Sequence, residues 1–192
     1  MKGLLIKDFC FMKQKHLLLV ISLCSLAGFF SIVPLFPFFC TAFLVFIPSS
    51  TITTDKLENG WKALFVFPFT RIQYVLEKYL FVIGCTFPIM LIAALESMIL
   101  WKLNIAYLWI NLAFLLLFCA LDIPILLFFS ANIAPSLLSL GMILFIAGIS
   151  SSVSFFLMEV PNHSLLVIVF GSLIVFALSV LLSVKIMQKK DL

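Results

Sequence analysis

Long apolar runs separated by brief polar breaks organise this chain, and a single polar stretch, Asp55 to Lys78, interrupts them at length. A helix needs about 20 apolar residues to cross roughly 30 Å of hydrocarbon. The run from His16 to Thr54 is too long for one crossing and is broken at Pro34 and Pro37. It therefore reads as a hairpin of two shortish spans with PLFP at its tip. Four further spans follow, at about Tyr79–Trp101, Tyr107–Ser130, Ser136–Met158 and Ser164–Val184. The predicted fold is all-α, a polytopic membrane protein with six transmembrane helices in one domain covering residues 1–192.

Charge placement orients these spans, because short loops rich in Lys and Arg stay on the cytoplasmic side. With six spans and both termini inside, that side holds Lys2, Lys7, Lys13, Lys15, Lys56, Lys62, Arg71, Lys78, Lys185, Lys189 and Lys190. Lys102 alone falls outside. Reading residues 16–54 as one span would put the four basic residues of the island on the outer side, against the rule. The chain then divides into an interfacial N-terminal helix (1–15), two spans (16–54), a cytoplasmic segment (55–78), four spans (79–184) and a cytoplasmic tail (185–192). The start has the outline of a signal peptide, with small residues Ser25, Ala27 and Gly28, but the apolar run continues past them and reads as mature protein. Residues 1–15 mix lysines with Leu4, Leu5, Ile6, Phe9, Phe11 and Met12, which suits a helix lying in the interface or a basic flank to the first span.

Composition agrees: 65% of residues are hydrophobic, 10% are charged, and the mean hydropathy is +1.31. Such values belong to a multi-pass protein of the cell membrane, in contact with lipid. The net charge of +4 follows from the topology and implies no nucleic-acid partner.

Candidate chemistry is sparse. Cys10, Cys24, Cys40, Cys85 and Cys119 are scattered without a CxxC pair and read as small buried hydrophobes. His16 and His163 fall at opposite membrane faces and cannot share a metal. No loop resembles a phosphate-binding glycine motif, so the chain binds no cofactor of its own. Depth offers Glu96 and Asp122, too few for a membrane-embedded protease. A carboxylate within a span is costly unless neutral, paired or wet. Glu96 lies near the outer end of its span, within reach of headgroups or Lys102. Asp122 is deeper, followed by Pro124, which frees a backbone carbonyl, so it marks a helix interface or a polar path. Asp122 and Glu96 are the candidates for a translocation path.

Within the island, apolar residues recur at helical spacing, Leu57, Trp61, Leu64 and Phe65, then Ile72, Val75, Leu76 and Tyr79. Asp55 with Glu58, and Thr70 with Gln73, match capping boxes, and Pro68 separates the two periods. The pattern predicts two short amphipathic helices meeting at FPFTR, a docking element for a cytosolic partner.

The segment ENGWKALFVFPFTRIQYVLEKYL resembles the cytoplasmic segment of ABC type-2 family permeases, in which an acidic residue, Asn-Gly or Ser-Gly and an aromatic precede "LPVSR" and a "KY" that opens the third span. Glu58, Asn59, Gly60, Trp61, Pro68, Arg71, Lys78 and Tyr79 occupy the matching places. MKGLLIKDF resembles that family's opening, and six spans extend the likeness over the whole chain. It departs in having FPFT where Leu-Pro-Val-Ser is usual, and short outer loops.

The resemblance implies a permease subunit of an ATP-binding-cassette exporter, paired with a second copy of itself or a related permease. A separate cytosolic ATP-binding subunit would drive it, so the chain is not itself an enzyme. The island would be the coupling helix, with Glu58, Gly60, Trp61, Phe65, Pro68 and Arg71 at the ATPase, Trp61 and Phe65 as apolar anchors and Arg71 as a rim charge. A cargo that is amphipathic or lipophilic, first an antimicrobial or cytolytic peptide or a drug, suits spans rich in Phe and Leu. The competing readings are a substrate-capturing membrane subunit of an importer and a non-transporting immunity or sensor protein. Neither accounts for capped helices facing the cytosol, and the outer loops are too plain for a capturing pocket.

Overall fold

The computed structural model describes residues 2–14, 36–57, 60–61, 69–102, 104–134, 136–138, 141 and 162–189. Five long helices carry them: α1 (Lys2–Gln14), α2 (Phe36–Lys56), α3 (Arg71–Trp101), α4 (Ala106–Phe128) and α5 (Asn162–Lys189). No strand occurs among the described residues. The expected first span, the fifth span beyond Gly141, and Glu58, Lys62, Phe65 and Pro68 lie outside the described residues.

Among the described residues, three stretches are long and apolar enough to cross a membrane: Arg71–Leu100, Ala106–Phe128 and Leu166–Lys189. α4 is 72% buried over its most apolar part, against 17% for α5. That contrast makes α4 the centre of the bundle, touching α2, α3 and α5, and leaves α5 with one inward stripe. Its other faces present Val167, Phe170, Ile174 and Leu181 outward, where hydrocarbon is the matching solvent.

α2 begins at Phe36, within the PLFP sequence, and places Pro37 in its first turn, where a missing N–H costs nothing. Its far end reads PSSTITT, polar for a helix packed on a core. Each hydroxyl returns to a carbonyl three residues back, Ser49 to Phe46, Ser50 to Ile47, Thr51 to Pro48, Thr53 to Ser50 and Thr54 to Thr51. These bonds satisfy the hydroxyls locally and let α2 enter the core.

α3 departs from the expected pair of short helices. Its 31 residues run without a break from Arg71, about 46 Å at 1.5 Å per residue, so the second amphipathic period is the first two turns of the span itself. The capping box is formed: Gln73 N–H donates to Thr70 Oγ1 at 3.2 Å and Thr70 N–H donates to Gln73 Oε1 at 3.1 Å. Thr70→Ala is expected to cost about 1 kcal/mol of stability, and Thr70→Ser to cost much less; thermal unfolding in detergent reads both. Of the companion box at Asp55, Glu58 lies outside the described residues; Asp55 itself belongs to the last turn of α2 and turns its carboxylate inward.

Pro124 sits inside α4. Lacking an N–H, it leaves the carbonyl of Ala120 without its helical donor. Ser179 of α5 supplies that donor at 2.6 Å. Since Ser179 has one proton and gives it to Ala120, Tyr79 of α3 must donate to Ser179 at 2.6 Å, and Ser183 then donates to Tyr79 at 2.9 Å. The proline-made vacancy thus becomes a junction of α3, α4 and α5. Of the described cysteines, Cys119 is buried as expected and Cys85 partly so, but Cys10 is exposed, because it shares the outward side of α1 with Ile6 and Phe9.

Candidate functional site

The ends of α2, α4 and α5 and the start of α3 meet at one face of the bundle, and basic side chains fasten them there. Lys56 donates to the terminal carbonyls of α4, Leu126, Leu127 and Phe129. Arg71 donates to Met187 and Gln188, the last carbonyls of α5, at 3.2 and 2.8 Å. Helix C-termini carry partial negative charge and unpaired carbonyls, which a cation satisfies on both counts. Arg71, expected as a partner-facing rim charge, therefore spends its guanidinium on α5.

Beside these caps lies a buried ionic cluster. Lys78, fully buried on α3, donates to Asp8 of α1, and lies 2.9 Å from Asp55 Oδ2 and 3.1 Å from Thr51 Oγ1 of α2. Lys7 bonds Asp55 Oδ1 at 2.5 Å and approaches Asp8 Oδ1 at 3.1 Å. Burying ions is costly unless each finds a partner. Here one lysine serves two carboxylates on different helices, and the second lysine closes the group at its more exposed edge. Burial penalises the charged form of Asp55, but Lys78 and then Lys7 outweigh it and hold the carboxyl below its ordinary range. Its contribution to stability is therefore complete above the unfolded-state pKa and lost as pH falls through the lower folded value.

An aromatic chain extends the cluster into the island. Tyr74 Oη donates to Asp55 Oδ2 at 3.0 Å, and Trp61 Nε1 donates to Tyr74 Oη at 3.3 Å. Lys78 and Lys56 lie 5.2 Å from the ring centroids of Tyr74 and Trp61 respectively, within cation–π range. Trp61 is 8% exposed. Its ring faces the protein, where the sequence reading expected an anchor turned to a partner. Gly60 has a steric role: a Cβ there would lie 2.7 Å from the backbone oxygen of Asp55. Among the described residues of this part of the chain, the apolar side chains open to solvent are Leu57, 48% exposed, and Ile72, 45% exposed.

The sequence assigns Asp8 and Lys78 to two separate motifs, and in the fold they are one ion pair. Thr51, Tyr74 and Glu77 were not legible as site residues. Glu77 is buried next to Lys78, and its two oxygens have no hydrogen-bond partner among the described residues.

The two intramembrane acids are not brought together. Glu96 lies five residues from the end of α3, away from the ionic cluster, half-buried, with Oε2 lacking a hydrogen-bond partner among the described residues. It makes no ion pair with Lys102 among the described residues. Asp122 is 4% exposed and lies six residues from the end of α4 on the Lys56 side.

No curated protein and no solved structure matches the chain. A model of the ABC-2 family transporter proteins matches residues 3–188. That match runs from the second residue of α1 to the last but one of α5, and so takes in the ionic cluster, the helix caps and both intramembrane acids; the chain belongs to the ABC-2 family of transporter membrane proteins.

Proposed function

We propose that the chain is the path-forming permease of an exporter for amphipathic or lipophilic cargo, working as a pair with itself or a related permease, and that the segment around residues 57–70 seats a cytosolic ATP-binding subunit. A permease subunit of an ABC transporter works with such a subunit by family. The observation that carries the coupling reading is the attachment of the island to α3. Trp61 is tied to Tyr74, Tyr74 to Asp55, and Asp55 to Lys78, so a push on the island reaches a helix long enough to cross the membrane.

This reading divides the labour within the segment. Trp61 and Gly60 hold the island to α2 and α3. Leu57 and Ile72 offer apolar surface to the ATPase, and the coupling role of Glu58, Phe65 and Pro68 rests on the sequence of the same stretch. Arg71 fixes α5 to the base of α3. Asp122, and toward the other face Glu96, border the route of the cargo. Export as the direction, and a peptide or drug as the cargo, fit the Phe- and Leu-rich spans and the plain outer loops.

Exposed apolar anchors surrounded by polar residues dominate docking energies. Leu57→Asp is therefore expected to remove the ATP-binding subunit from mild-detergent pull-downs, with an unchanged melting curve for the permease alone. Trp61→Phe is expected to keep the subunit. Retention of the ATPase by Leu57→Asp together with Ile72→Asp would move the docking surface elsewhere.

A further inference from the structure

Below the helix caps, α4 and the segment 136–138 enclose a pocket of about 100 Å³, lined by Phe118, Leu121 and Ile125 on one side and Leu137 and Leu138 on the other, with Asp122 at its wall. The rest of the described lining is apolar. The Asp122 carboxyl is buried, Ser49 of α2 lies beside it, and its Oδ2 has no hydrogen-bond partner among the described residues. An unmatched carboxyl oxygen at the wall of an apolar pocket calls for a donor. The ionic cluster already uses Lys7 and Lys78, and Lys56 is committed to the carbonyls of α4.

From this geometry we infer that the pocket is a binding site for the ammonium head of an amphipathic amine. Three observations define that occupant. The charge is set by Asp122, which offers an acceptor and no donor when ionised. The size is set by the cavity, well below the roughly 300 Å³ at which pockets hold whole drug-sized molecules. The shape is set by the rim, where Leu121 is 54% and Leu137 39% exposed: an apolar tail leaving the pocket runs out along a hydrocarbon-facing surface. A metal ion would need several oxygen ligands, and one carboxyl among leucines and phenylalanines does not supply them.

The inference deepens the export reading by naming the chemical class of the cargo, and rests on it for what the site is for. Its test does not require the ATPase. The full-length permease in lipid nanodiscs is treated with dicyclohexylcarbodiimide, which adds to protonated carboxyls in apolar surroundings, and labelling of Asp122 and Glu96 is followed by mass spectrometry. Dodecylamine is expected to slow labelling of Asp122 about ten-fold, the factor that 1.4 kcal/mol represents, leaving Glu96 unchanged. Dodecanol, with the same tail and no charge, is expected to protect neither. Equal protection by amine and alcohol would make the pocket an apolar lipid slot, and no protection by either would leave Asp122 with a proton only. Failure of the reagent to reach Asp122 would show the pocket closed to lipid. Each of these three outcomes overturns the inference. Protection in a chain that recruits no ATPase would retain the site and remove the coupling reading, and the reverse result would do the opposite.

Discussion

Lys78→Met is expected to destabilise the protein by about 3–5 kcal/mol, the loss that follows when one partner of a buried ion pair is removed. Methionine fills most of the space of the lysine stem, so the deficit is electrostatic rather than a cavity. What remains is Asp8, 1% exposed, and the largely buried Asp55, sharing Lys7, whose side chain is 35% exposed. Two carboxylates facing one half-solvated cation must either repel or take up protons. The melting temperature of the detergent-solubilised chain reads the loss. Adding Asp8→Asn to Lys78→Met is expected to recover part of it, since groups in one network are not additive. A full-sized loss in the double variant would mean that Lys78 acts through packing alone.

Gly60→Ala should produce the second large effect, and should act on coupling more than on folding. The added methyl would meet the carbonyl oxygen of Asp55 at 2.7 Å, and that oxygen is backbone in the last turn of α2, with no flexible end to swing aside. Relief requires the island to move, at a cost of about 1–3 kcal/mol for overpacking, and the adjacent Trp61 moves with it. Nucleotide hydrolysis by the assembled complex is expected to become independent of cargo, while membrane insertion is retained. Gly84→Ala is the matched control, because a Cβ there meets nothing within 4 Å. Equal behaviour of the two variants would remove the steric role of Gly60.

Much of this architecture is legible from periodicity and punctuation. The start of α3 follows from Thr70 and Gln73, whose reciprocal bonds depend on residues three apart. The start of α2 follows from its prolines. The consequence of Pro124 was half legible: the freed carbonyl can be deduced, but the serine that satisfies it, Ser179, lies 59 residues away. The same limit hides the ionic cluster. Lys78 and Asp8 are 70 residues apart, and nothing local distinguishes a lysine that orients a span from one buried between two carboxylates. Trp61 shows the limit in another form, since its helical spacing with Leu57 describes an amphipathic face without saying which neighbour that face covers. Its partner Tyr74 lies on the next helix, 13 residues further along the chain.

On the proposed topology, with this face toward the cytosol, Lys56, Arg71 and Lys78 carry two instructions in one set of side chains. During synthesis, positive charge of this kind selects which way a span is threaded; afterwards the same nitrogens close the ends of α4 and α5 and hold α1, α2 and α3 together. Topogenesis and tertiary stability are therefore not independently mutable here. Neutralising one of these positions weakens the vote for orientation and strips the correctly threaded bundle of a fastener, so the variants should be cleared by membrane quality control more readily than either defect alone would predict.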